Sequence, residues 1–261
     1  MNFHREGWGE PLVLIHGVGH HWQAWRPVID RLAGEFDVIA CDSPGFGRSE
    51  PLPPGIEPTI PAYADAFARF FAEEGLGHPH VAGNSMGGAI GLELARRRAV
   101  ESVIAFSPAG FWTDAERKYC QASLGMTANM PRVLQPAIKA LAATAPGRAA
   151  LLAQLYAYPA RLPADDAQAS LENAWASPSF NPALKAFDSY RFENGDDLRG
   201  VPVTIAWGNR DRLLLYGPQA RRARAELPWA RHLTLGAGHI PFSDDPEAVA
   251  ETIRSGVALP A

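Results

Sequence analysis

A chain of 261 residues with 47% hydrophobic and 20% charged residues has the size and balance of a globular protein, either one large α/β domain or two small ones. Its net charge of −4 provides no basic stripe for nucleic acid or an anionic membrane, and Arg96-Arg97-Arg98 and Arg221-Arg222 read as solvated helix ends and faces. No apolar run approaches the roughly 18 residues that span a bilayer, and residues 1–7 lack the apolar core of a signal peptide.

Residues 11–15 (Pro-Leu-Val-Leu-Ile) form a continuous apolar run, as expected of a strand buried on both faces. His16-Gly17-Val18-Gly19 makes the turn that follows. Trp22, Trp25, Val28, Ile29 and Leu32 then recur at helical spacing up to Gly34. Residues 36–41 read as a second strand, closed by Asp42-Ser43-Pro44-Gly45-Phe46-Gly47-Arg48-Ser49, and 50–60 is a proline-rich loop. A helix over 61–74 carries Tyr63, Phe67, Phe70 and Phe71 on its apolar side. A strand at 79–82, a helix reaching Arg98 and a strand at 101–106 complete the first part. The two cysteines, Cys41 and Cys120, fall in different elements and read as free thiols of a reducing compartment, so a cytoplasmic location is expected.

Strand and helix alternate throughout this stretch, as in an open, mostly parallel sheet with right-handed crossovers. From 110 to 198 the rhythm changes to alanine- and leucine-rich helical pieces near 114–127, 130–143, 147–156, 164–175 and 181–188. Strands return at 201–207 and 231–235, with helices near 217–226 and 246–255. The expected organisation is therefore an α/β core of 1–109 and 199–261, interrupted by an all-helical insertion over 110–198.

The stretch Gly83-Asn84-Ser85-Met86-Gly87-Gly88 follows the third of these strands and opens a helix. G-x-S-x-G in that setting is a nucleophile elbow, whose strained turn tolerates only small neighbours at 83 and 87. A serine hydroxyl is a weak nucleophile without a base to take its proton and an acid to orient that base. Asp211 follows the strand ending at Trp207, and His239 follows the strand ending at Leu235. All three residues thus fall at the C-terminal edge of the sheet, where open α/β sheets place their sites. Asp244 and Asp245 are rival acids, but Asp244-Asp245-Pro246-Glu247 reads as a helix start. The position after the preceding core strand, Ser107-Pro108-Ala109-Gly110, holds no carboxylate.

With these motifs in the order Ser, Asp, His, the chain resembles an α/β-hydrolase-fold serine hydrolase with a helical cap. The resemblance spans His16-Gly17, the Asp42 to Ser49 turn, Gly83 to Gly88, Asp211 and Gly238-His239, and is loosest in the insertion. It implies Ser85 as nucleophile, His239 as base and Asp211 as orienting acid, with the backbone N–H groups of Val18 and Met86 as the oxyanion hole. Such proteins usually carry one or two antiparallel strands before His-Gly. Only 15 residues precede His16, which leaves open whether the first strand is present.

The implied function is cleavage of an ester or related acyl bond of a small, largely apolar molecule through an acyl-enzyme on Ser85, as in a carboxylesterase. Neither a cofactor nor a metal is expected, since His16, His20 and His21 lack cysteine or carboxylate partners at ligand spacing. A carbon–carbon bond hydrolase of the meta-cleavage-product type, using the same three residues, is the nearest alternative. Gly83 to Gly88 and Asp42 to Phe46 resemble that group too, but His16-Gly17-Val18-Gly19 and His239-Ile240 depart from it. A non-catalytic small-ligand receptor on the same scaffold is the third reading. His20 is a candidate for the pocket wall, and so are the insertion aromatics Phe111, Trp112, Tyr156, Tyr158 and Trp175.

Overall fold

The structure, a computed structural model, describes residues 1–258. Seven strands form one sheet: β1 (Phe3–Gly7), β2 (Glu10–Ile15), β3 (Phe36–Cys41), β4 (His80–Asn84), β5 (Val103–Phe106), β6 (Val203–Gly208) and β7 (Arg231–Leu235). Their spatial order is β1-β3-β2-β4-β5-β6-β7, and every neighbouring pair is parallel except β1 on β3.

The continuous apolar runs are explained by covering on both faces. Side chains of a strand alternate in direction. Val13 and Ile15 therefore pack on one side with Tyr63, Phe67 and Phe70 of α2 (Ile60–Glu73) and Ile90 of α3 (Met86–Arg96), after α1 (Arg26–Leu32) on the other. Leu12 and Leu14 point the opposite way, onto Trp25, Val28 and Ile29 and onto Val249 and Ile253 of the C-terminal helix. With both faces of the central strands sealed, those strands meet solvent or ligand only at their ends.

The first strand, left open by the sequence, is present: residues 3–7 form β1, antiparallel to β3 from Phe3 opposite Cys41 to Gly7 opposite Asp37. Its sequence, Phe-His-Arg-Glu-Gly, is half-exposed and carries no apolar alternation, so the pattern that identifies buried strands is absent. Backbone pairing and the two-pronged hydrogen bond from Arg5 to Asp37 hold it instead.

Between β5 and β6 run five α-helices and no strand among the described residues: α4 (Asp114–Ala128), α5 (Gln135–Ala142), α6 (Ala145–Leu151), α7 (Ala164–Ala176) and α8 (Phe180–Ala186). Local chemistry sets their starts. Thr113 and Glu116 form a reciprocal capping box on α4, and Thr144 caps α6 with Pro146 in its first turn. Three helices follow in the last part of the chain, α9 (Tyr216–Glu226), the single turn α10 (Pro241–Asp244) and α11 (Pro246–Val257). None of the described helices is long and apolar enough to cross a membrane.

Candidate active site

At the end of β4 the chain reverses into α3 through a residue that cannot relax. Ser85 has φ 56° and ψ −115°, a conformation that costs a non-glycine residue on the order of 1–3 kcal/mol. The surrounding backbone over-determines it. Its N–H donates to the Phe106 carbonyl (2.9 Å), and its own carbonyl accepts from Ala89 and Ala109 (both 3.0 Å). The flanking glycines are required by space: a Cβ on Gly83 would lie 2.2 Å from the Gly87 carbonyl oxygen, and one on Gly87 would lie 2.1 Å from that of Ile15.

His239 and Asp211, 28 residues apart, are joined by a 2.8 Å hydrogen bond between Nδ1 and Oδ2, with both side chains buried. A carboxylate only accepts, so Nδ1 carries the proton and the free lone pair of the neutral ring lies on Nε2. Asp211 is itself held, its Oδ1 accepting the N–H groups of Leu213 (2.9 Å) and Leu214 (2.8 Å). Asn84, next to Ser85, donates from Nδ2 to the carbonyls of His239 (2.9 Å) and Phe106 (3.1 Å). This link between the serine turn and the histidine loop was not foreseen from sequence, where Asn84 occupies a position of the motif that any residue can fill.

The rival acids are occupied elsewhere. Asp245 caps α11 through Ala248 N–H, whereas Asp244 does not cap a helix. It accepts the backbone N–H groups of Ala157, Tyr158 and Gly238.

Gly17 brings the loop after β2 against the serine, since a Cβ there would sit 3.2 Å from Ser85 Cβ. Val18 and Met86 flank this point, and neither N–H has a protein acceptor among the described residues. His16 clamps the loop: Nδ1 donates to the Gly17 carbonyl (2.7 Å) and Nε2 accepts the Ser43 N–H (2.9 Å). Both of its nitrogens are therefore committed to backbone, which leaves neither for a metal. Asp42 braces the adjoining turn through the N–H groups of Trp22 (2.8 Å) and Arg48 (2.9 Å). His21 opens the short 3-10 turn Trp22–Trp25 without capping it through its side chain.

Burial keeps two of these imidazoles neutral. It pushes His16 down to about 4, partly offset by the Gly17 hydrogen bond and the Asp42 charge. His20 falls to about 3 by burial and the neighbouring histidines His21, His16 and His239. At pH 7 both are uncharged in the folded chain and mostly uncharged in the unfolded one, so their pH-dependent effect there is small. As pH drops below about 6.5 the unfolded chain takes up their protons while the folded chain resists, and stability falls until the folded-state values are reached. The urea midpoint at pH 5 should therefore lie below that at pH 7, and replacing His20 with glutamine should shrink the gap. An equal gap in that variant would contradict the assignment.

Ser85, His239, Val18 and His20 line one cavity of about 310 Å³. Its remaining wall comes mainly from the helical segment, through Leu124, Leu152, Tyr156, Trp175 and Phe180. Of the five aromatics considered from sequence, Tyr156 and Trp175 face this space. Phe111 packs instead on Phe192 and Trp207, Trp112 on Phe187, and Tyr158 lies beneath Arg161 and Arg210. No Arg, Lys, Asp or Glu lines the cavity among the described residues. The two thiols lie outside it and are buried, and burial lifts Cys120 to about 12 and Cys41 higher still.

Residues 12–252 match the family model described as Alpha/beta hydrolase family. An uncharacterised protein of Mycobacterium tuberculosis is 30% identical over 260 residues, covering 94% of this chain and 74% of that protein. A 2-hydroxy-6-oxo-2,4-heptadienoate hydrolase of Pseudomonas putida is 36% identical over 99 residues, 37% of this chain and 36% of that one. Among solved structures, a thermophilic esterase from Thermogutta terrifontis superposes with a TM-score of 0.74 at 21% identity, over 97% of this chain and 91% of that chain. At that identity the likeness is one of fold.

Proposed function

The chain belongs to the alpha/beta hydrolase family, and from that membership we propose that it is a serine hydrolase that cleaves an ester of a small, neutral, largely apolar molecule. The observation that carries this reading is the strained Ser85 in one cavity with His239, whose Nδ1 is tied to buried Asp211. Ser85 Oγ attacks the ester carbonyl as His239 Nε2 takes its proton. The tetrahedral oxyanion is received by the N–H groups of Val18 and Met86. Collapse expels the alcohol, protonated by His239, and leaves an acyl group on Ser85, which water then removes by the same steps. Asp211 holds the imidazole in the required tautomer and stabilises its cationic form. Donors already fixed in place need no reorganisation as charge develops, and removing one typically costs about 3 kcal/mol of transition-state stabilisation.

In this reading the helical segment over 110–198 is a cap on a core formed by 1–109 and 199–261, and it shapes the acyl or alcohol pocket. The apolar wall selects the substrate class. A ring-cleavage dienoate carries a carboxylate, and burying that charge needs a cation or several donors. No arginine or lysine lines the cavity among the described residues, and the wall donors Ser123, Gln154 and Ser170 are spent on Gln154, Tyr119 and the Asp166 carbonyl. Ester cleavage is therefore preferred. Carbon–carbon bond cleavage is kept as the second reading because of the local similarity to the Pseudomonas putida hydrolase. A cytoplasmic location is part of the proposal, supported by the two unpaired buried thiols.

A panel of p-nitrophenyl esters from acetate to octanoate, assayed beside a ring-cleavage dienoate, tests the reading. We expect turnover of the esters, with the highest kcat/KM at intermediate chain length set by the 310 Å³ cavity, and little turnover of the dienoate. Faster turnover of the dienoate would reverse the ranking. Binding without turnover of either would favour a receptor.

A further inference from the structure

We propose that Asp244 is a positioning residue which fastens the peptide around His239 to the helical segment above it, so that the base is held from the cavity roof as well as from the sheet. The inference rests on the reading of His239 as the base. His239 lies in the irregular stretch between β7 and α10, where no ladder of secondary structure fixes the backbone. Three kinds of contact replace one. Its side chain is tied to Asp211 and its carbonyl to Asn84. The peptides on either side of it are tied to the segment 155–158.

One carboxylate makes most of that last tie. Asp244 Oδ2 accepts the N–H of Gly238 (2.8 Å) and that of Ala157 (2.8 Å), while Oδ1 accepts the N–H of Tyr158 (3.0 Å). On the far side of the histidine, Ile240 N–H donates to the Leu155 carbonyl (3.0 Å). The two backbones are in direct contact, for a Cβ on Gly238 would lie 2.7 Å from Ala157 N, Leu155 O and Tyr156 C. Charge-assisted hydrogen bonds to a carboxylate are short and directional, so three of them on one side chain set the spacing of the two segments tightly.

The arrangement also links binding to chemistry. Leu155 and Tyr156 line the cavity together with Ser85 and His239. The stretch that Asp244 holds is therefore the stretch a bound substrate presses against. Displacing it moves the Gly238 and Ile240 peptides, and with them the ring of His239. Asp244 itself is not part of the cavity wall. Its effect is on where the base sits, and a misplacement on the order of 1 Å lowers the rate about a hundredfold.

Asp244→Asn keeps the shape of the side chain but replaces one acceptor with a donor that faces backbone N–H groups. We expect kcat on the best p-nitrophenyl ester to fall about 10- to 100-fold with KM changed less than about threefold. The labelling rate of Ser85 by a fluorophosphonate should fall in parallel, per folded molecule. Hydrogen exchange at the Ala157, Tyr158 and Gly238 amides should quicken. Gly238→Ala attacks the same junction from the other side, and its loss should not multiply with that of Asp244→Asn in the double variant. Wild-type kcat and labelling in Asp244→Asn would overturn the proposal, and so would a loss explained wholly by a smaller folded fraction. Failure of the wild type to label at Ser85 would instead overturn the reading of the site. The exchange rates of the three amides would then still decide whether Asp244 anchors them.

Discussion

Replacing Ser85 with alanine should lower kcat on the best p-nitrophenyl ester by roughly 10⁶-fold, to a residual rate still above that in water. On the proposed roles the nucleophile disappears while the Val18 and Met86 donors and the cavity remain, and those alone would keep a measurable fraction of catalysis. Stability should scarcely change, because alanine inherits the φ of 56° and its strain. Ser85→Gly separates the two effects. Glycine occupies that mirror-image extended region without penalty, so this variant should be equally inactive yet more stable by about 1 kcal/mol, the released strain less glycine's extra entropy. Thermal unfolding beside steady-state kinetics checks both claims. Ser85→Ala with a kcat within tenfold of wild type would exclude Ser85 as the nucleophile.

Asp211→Asn should cost about 10⁴-fold in kcat, mainly through the tautomer of His239. In the native protein Oδ1 is occupied by the Leu213 and Leu214 N–H groups, which leaves Oδ2 for the imidazole. An asparagine that preserves the first pair of bonds must point its NH₂ at Nδ1. The proton then moves to Nε2, where the lone pair is needed. An asparagine flipped the other way keeps the tautomer but sets its NH₂ against two backbone N–H groups, at a cost of about 1–3 kcal/mol in stability. Either outcome shows as lost activity or a lowered unfolding midpoint. Asp244→Asn serves as a comparison, since its carboxylate contacts only backbone amides and its loss should be at least a hundredfold smaller. Near-wild-type kcat together with an unchanged unfolding midpoint in Asp211→Asn would point to another acid.

The readable parts of the fold are those whose physics is local. A strand covered on both faces is apolar over most of its length, so residues 12–15 and 38–41 declare themselves. Helix starts in the insertion are marked by Thr113, Thr144 and nearby prolines, which satisfy end groups or tolerate their lack. β1 escapes notice because an edge strand held by backbone pairing and one arginine–aspartate contact needs no apolar pattern. The single turn α10 is too short to show a period.

The site divides in the same way. The proposed triad of Ser85, Asp211 and His239 stands out because the proposed chemistry calls for those residue types and the sheet edge is where they fall along the chain. What supports them is less visible. Asn84 acts on a carbonyl 155 residues away, and Asp244 acts on amides 86 and 87 residues away. Nothing near either residue in sequence announces such a partner. Phe111 and Tyr156 are alike as members of an aromatic-rich insertion, yet one packs against the core and the other lines the cavity. That difference is set by how the helices dock.

The central claim is that Ser85 is a nucleophile activated by its surroundings, and covalent trapping tests it most directly. Wild-type protein incubated with a fluorophosphonate and mapped by peptide mass spectrometry should carry a single phosphonyl group on Ser85, with none on Ser85→Ala and much slower labelling of Asp211→Asn. A wild-type protein that remains unmodified, or one labelled at a different serine, would contradict the account.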